Sequence, residues 1–156
     1  MRSLHPSIRT VWRIKLAAFW AFVFVAILVY EIVQWLSTGN IWLVPGSRAF
    51  LVALVAGVIV VLVPRLRYRY WRYELRDDEL FLERGILNRV RTIVPLRRIQ
   101  HIDVSQDILE REFDLGKLIV HTAGTRSSDV VLPGLVFADA EAMRDELKQH
   151  ILEDVL

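Results

Sequence analysis

Apolar and polar positions follow two different rules in the two halves of this chain. Residues 16–36 form a 21-residue apolar stretch interrupted only by Glu31 and Gln34, and residues 49–63 form a second one with Gly57 inside it. At ~1.5 Å rise per residue the first reaches about 30 Å, the thickness of a bilayer's hydrocarbon core. A cleaved signal peptide is the competing reading for it. The run is too long for that, and no A-x-A-like site follows before Gly39. The second run alone reaches only about 22 Å. Arg48 can snorkel at one end, and Leu66 and Tyr68 extend the other if the helix continues past Pro64. Otherwise it is a re-entrant or interfacial helix. Turn-forming residues at 37–40 and 45–47 join the two as a hairpin.

From Trp71 the pattern becomes alternation, the mark of half-buried strands. Trp71, Tyr73 and Leu75 share one face, with Arg72, Glu74 and Arg76 on the other. After the Asp77-Asp78 turn, strands are expected at 79–86 and 89–96, the latter marked by Pro95 as a terminus or an edge. Further strands follow at 99–105, 117–122 and 129–132, with a turn-like or helical piece at 107–114, and Pro133-Gly134 ends the sheet. A final helix over 139–152, N-capped by Asp139, carries Ala140, Met143, Leu147 and Ile151 as one apolar stripe. The expectation is six or seven antiparallel strands closed by one amphipathic helix. The divisions are a basic segment 1–15, a hairpin 16–64 (helices 16–36 and 48–64) and a β domain 65–156.

Charge distribution orients this arrangement. The 20 Lys and Arg against 18 Asp and Glu give a net charge of only +2, too small to suggest a nucleic-acid partner. Arg2, Arg9, Arg13 and Lys15 precede the first apolar run and Arg65, Arg67, Arg69 and Arg72 follow the second, whereas the connection carries only Arg48. The positive-inside rule then puts both termini and the β domain in the cytoplasm. Trp35 and Trp42 suit the outer interface, and Trp12, Tyr68, Tyr70 and Trp71 the inner one.

Candidate chemistry is sparse. The absence of cysteine excludes disulfides, thiolate catalysis and Cys-based metal sites. No phosphate-binding glycine loop or nucleophile elbow is present. His5, His101, His121 and His150 show no metal-ligand spacing. His101 and His121 alternate with core positions and could share a sheet face with Asp103, as a metal or acid–base site or as two half-exposed histidines; the second reading is preferred. Glu31 reads as an interfacial acid and Asp77-Asp78-Glu79 as an acidic turn. No catalysis, cofactor or metal is expected. Two basic clusters remain as candidate membrane-surface or partner-binding residues: Arg65, Arg67, Arg69 and Arg72, and Arg89, Arg91, Arg97 and Arg98.

The stretch Ile99-Gln100-His101-Ile102-Asp103-Val104-Ser105-Gln106 continues through Leu109, Glu110, Arg111 and Phe113 to Leu115-Gly116, then Leu118, Val120 and Thr122-Ala123-Gly124. With Tyr73-Glu74-Leu75, Asp78, Gly85 and Arg91-Thr92 before it, it resembles the bacterial PH-like domain family, the YdbS-type membrane proteins. The chain departs from that pattern at Asp114-Leu115, where many members carry a glycine. The resemblance implies a two-helix transmembrane hairpin followed by a bent antiparallel β-barrel capped by a C-terminal α-helix, and implies no activity. The expected partners are the lipid bilayer, another membrane protein or a second copy, and anionic lipid headgroups. The leading function is an interaction module at the cytoplasmic membrane face, using exposed sheet edges. The alternatives are an anionic-lipid sensor using the arginines, and a non-catalytic subunit of a transport or enzyme complex.

Overall fold

In the computed structural model, which describes residues 1–38, 46–123 and 129–153, two long helices come first. Helix α1 spans Ile8–Thr38 and α2 spans Ser47–Arg69. Both exceed the predicted runs. At 31 residues α1 is about 46 Å long, well beyond the hydrocarbon core. Pro64 lacks the N–H that would bond the Val60 carbonyl, yet α2 continues to Arg69 and so gains the length its apolar run lacked. Apolar side chains along both helices face outward: Phe22 is 75% and Phe50 71% exposed. A soluble core helix buries such residues, so outward exposure over this length is what a bilayer requires. Gly46, ahead of α2, donates its N–H to the Glu31 carboxylate at 3.1 Å, which places the acid at the positive end of that helix. The connecting residues 39–45, Trp42 among them, lie outside the described residues.

The chain divides into two compact units, Trp12–Arg65 and a second made of Met1–Val11 with Leu66–Leu156. The basic segment 1–15 is therefore shared between them. Strand β1 (Arg2–Ser3) pairs antiparallel with β2 (Arg72–Leu75), placing Arg2 opposite Tyr73. Leu4, Ile8 and Val11 are fully buried. Nothing in the alternation of residues 1–11 announced a strand, because two residues are too few to show a period.

Strands β3 (Glu79–Arg84) and β4 (Val90–Pro95) complete a sheet in the order β1-β2-β3-β4. A 3-10 turn, Leu96–Arg98, then leads into β5 (Ile99–Ser105). The short helix α3 (Ile108–Glu112) follows, then β6 (Leu115–Thr122) and β7 (Asp129–Val136), giving a second sheet, β5-β6-β7. The expected barrel is present as two antiparallel sheets that are not hydrogen-bonded into a closed ring. Strand β7 runs through Pro133-Gly134 instead of ending there. Between the pairs Leu118–Leu132 and Gly116–Leu135, two residues of β7, Pro133 and Gly134, face one of β6, Lys117, so the extra residue is absorbed as a bulge.

Helix α4 (Phe137–Glu153) caps the second sheet. It starts two residues before its expected cap, so Asp139 sits in its first turn, where it still favours the helix dipole. Ala140, Met143 and Leu147 are buried as the stripe predicts; the Ile151 side chain lies outside the described residues. Together with Leu80, Leu82, Leu115, Leu118, Val120 and Leu132 they form the core.

Gly134 joins the N-terminal segment to this core. Its carbonyl accepts from His5 N–H at 2.8 Å, its φ is +68°, and a Cβ there would come within 2.8 Å of Ile8 Cγ1. Only glycine meets both demands without strain. Gly134→Ala is expected to cost roughly 2 kcal/mol or more, from left-handed strain plus overpacking. Denaturant unfolding in detergent, followed by near-UV circular dichroism, checks this. An unchanged midpoint would remove the role given to the Ile8 contact.

Candidate functional site

Where α2 gives way to the first sheet, the two basic clusters meet. Arg69 ends α2, Arg72 opens β2 and Arg89 precedes β4; with Tyr70, Glu83 and Gly85 they line a cleft of about 240 Å³. The hairpin between β3 and β4 forms one wall. Gly85 has a φ of +119°, and a Cβ on it would collide with the Asn88 carbonyl, so the tight turn depends on glycine. Glu83 is already held by Arg91, 3.4 Å from the guanidinium Nε. Among the described residues Arg69, Arg72 and Arg89 form no ion pair. The cleft is a concentration of positive charge with its single acid already engaged.

More cations stack on the aromatics nearby. Arg67 and Arg84 lie 5.6 and 5.8 Å from the Trp71 ring, and Arg9 lies 4.8 Å from that of Tyr68. Of the eight arginines singled out in the sequence, three thus share the cleft. Arg67 is on Trp71, Arg91 on Glu83, and Arg97 is exposed on the 3-10 turn. Arg98 lines a different groove, and Arg65 belongs to the helical unit.

That groove, of about 370 Å³, lies beside β4, which among the described residues has no strand paired on its outer edge. Val90, Thr92 and Val94 of β4 line it together with Thr122, Ala123 and Val130 of the second sheet. Arg84, Arg98 and Asp129 supply its charges. Pro95 ends β4 and removes one donor there, as expected of an edge strand.

On the second sheet a ladder of imidazoles and carboxylates crosses three strands. His101 Nε2 lies 2.7 Å from Asp103 Oδ1, and His121 Nε2 lies 3.3 Å from Asp103 Oδ2. His121 Nδ1 meets Asp129 Oδ1 at 2.7 Å. Sequence alternation had placed His101, His121 and Asp103 on one face; Asp129 was missed. The signal for it was the β6–β7 register, which sets His121 opposite Asp129 across the loop. Each carboxylate is already engaged by an imidazole. Among the described residues, no group of three His, Cys, Asp or Glu side chains is arranged to hold a metal ion.

The hydrogen bond that the Asp129 carboxylate accepts is the main cause that raises the His121 pKa above its ordinary value; desolvation opposes it, and the charge of Asp129 and then Asp103 add to the rise. A raised imidazole pKa means that the pairing contributes its full stability below the ordinary value of 6.5, and that this is lost as pH climbs through the elevated one. Imidazole NMR titration should show His121 above 6.5, with Asp129→Asn lowering it more than Asp103→Asn does. The reverse order would dismiss this account of the ladder.

The signature stretch of the sequence also has a structural reason. Asp107 accepts from the Glu110 N–H at 2.9 Å, and the Glu110 carboxylate accepts from the Asp107 N–H at 3.0 Å, a capping box on α3. Lys117 lies 3.8 Å from this buried Glu110, and the Gln106 amide donates to the Leu115 carbonyl at 2.8 Å. Asp114 has a φ of +54°, the left-handed conformation in which glycine is at ease.

Comparison with known proteins agrees with this architecture. The family model described as "Bacterial PH domain" matches residues 11–151. The transmembrane protein YdbS of Bacillus subtilis (strain 168) is 27% identical over 146 residues, covering 94% of this chain and 89% of that protein. The transmembrane protein YdbT of the same organism is 27% identical over 97 residues, which are 60% of this chain and 20% of that longer protein. No solved structure matches the chain.

Proposed function

Because the chain belongs to the bacterial PH domain family and is a membrane protein, we propose that it acts as a membrane-anchored docking module without catalysis, receiving an extended segment of a partner protein on the open edge of β4. The observation that carries this reading is the groove beside an unpaired strand edge. Such an edge presents a row of free N–H and C=O groups, and a strand added to it gains main-chain hydrogen bonds as well as side-chain pockets. The groove offers apolar and β-branched walls with cations and an acid at hand, which suits a segment of alternating apolar and polar residues. Pro95 restricts the usable edge to residues 90–94. The similarity to only 20% of the longer YdbT supports a module that can be built into other contexts.

A photo-crosslinking residue placed in turn at Val90, Arg91, Thr92 and Ile93 of the full-length protein, in its own membranes, tests the docking. Strand addition predicts protein adducts above the 18.1 kDa chain whose yield alternates along these positions, because successive strand residues face opposite sides. A flat profile, or adducts equal to those from Asp77, would overturn the edge as the docking surface.

The same reading puts the β domain on the cytoplasmic side, following the Lys and Arg excess on both flanks of the hairpin. With no native cysteine, Asp77→Cys gives a single reporter. A membrane-impermeant maleimide should label it only after the cells are opened, and labelling of intact cells would reverse the orientation.

A further inference from the structure

The β3–β4 hairpin ends in the wrong kind of residue for a water-facing turn. Turn tips favour Gly, Asn, Asp and Ser, but here Ile86 and Leu87 occupy the tip, the first 36% and the second 100% exposed. The tip is held in place rather than collapsed onto the domain, because Gly85 lets the Asn88 carbonyl close the turn beneath it. Arg84, at the end of β3, and Arg89, just before β4, flank it. Across the cleft stand Arg69 and Arg72. An apolar point ringed by arginines is the composition of a membrane-interface contact: the point gains from burial among acyl chains, and the guanidinium groups gain from anionic headgroups.

The position along the chain agrees. Pro64 closes the predicted apolar run, and Arg69, five residues later, already lines the cleft. At ~1.5 Å per helical residue that separation is about 8 Å along α2, so only a short stretch of chain divides Arg69 from the apolar run. Tyr70, also in its wall, is an interfacial residue type. A volume of about 240 Å³ is below the range typical of drug-sized ligand sites, and fits a headgroup phosphate rather than a whole lipid. Arginine is the side chain whose planar fork suits phosphate oxygens. Glu83, the one acid in the wall, is held by Arg91 and leaves Arg69, Arg72 and Arg89 to the ligand.

We propose that Arg69, Arg72 and Arg89 bind the phosphate of an anionic phospholipid headgroup while Leu87 inserts into the same leaflet, so that the β domain grips the membrane at a second point besides its helices. This site is distinct from the β4 groove and stands whether or not a partner protein docks there.

Full-length Leu87→Cys, labelled with a polarity-sensitive dye and reconstituted in vesicles, tests the proposal, since the chain has no other cysteine. In phosphatidylcholine containing phosphatidylglycerol the dye should shift to the blue and be quenched by nitroxide-bearing lipids. In phosphatidylcholine alone both effects should weaken. Ile108→Cys, on α3 and equally apolar with 89% exposure, should give no such lipid dependence. Adding Arg72→Gln or Arg89→Gln should reduce the preference for anionic vesicles about fivefold each, as should raised salt to a comparable extent. Equal signals in both vesicle types, or equal signals from positions 87 and 108, would overturn the proposal. Inorganic phosphate reproducing the blue shift in neutral vesicles would overturn the lipid assignment in favour of a soluble anion.

Discussion

The packing of Ile8 against Gly134 is the contact on which this architecture depends. A residue at the head of the first membrane helix is placed in the core of a domain whose other residues begin sixty positions later, and the fit is possible only because residue 134 lacks a side chain. The strand Arg2–Ser3 adds backbone pairing to that contact, and Leu4 and Val11 add burial on either side of Ile8. One unit thus contains both the chain preceding α1 and the chain following α2.

Much of the fold was legible in residue order, because the two periodicities involved are long enough to be counted. The apolar runs, the alternation from Trp71 and the stripe Ala140, Met143 and Leu147 all reappear as elements. Boundaries moved where tertiary contacts override local signals. Helix α1 starts eight residues before the apolar run because Ile8 and Val11 are buried in the domain rather than in lipid. Strand β7 passes Pro133-Gly134 because a bulge and a left-handed glycine accommodate what sequence alone reads as a stop. The strand β1 was illegible, since its two residues carry no pattern and are defined only by their partner β2.

The candidate sites divide in the same way. The arginines could be seen as two clusters in sequence, but not that Arg69, Arg72 and Arg89 would converge, which depends on the turn made by Gly85. Alternation grouped His101, His121 and Asp103, while Asp129 required knowledge of register across a loop. Asp114, in the pair where the chain departs from the family pattern, has a positive φ, a conformation that Asp is one of the few non-glycine residue types to tolerate.

The burial of Leu4, Ile8 and Val11 also sets an order of events during biosynthesis. These residues leave the ribosome well ahead of their neighbours Leu80, Leu118, Leu132 and Leu147, which are made only after both apolar helices have been translated. No early piece of the nascent chain contains a complete core, so the domain cannot close while the hairpin is still being delivered to the bilayer. Completion of the core therefore follows translation of both apolar helices. A chain cut short after the hairpin would leave Leu4, Ile8 and Val11 without the residues that bury them, so that an unfinished product carries its own exposed apolar segment.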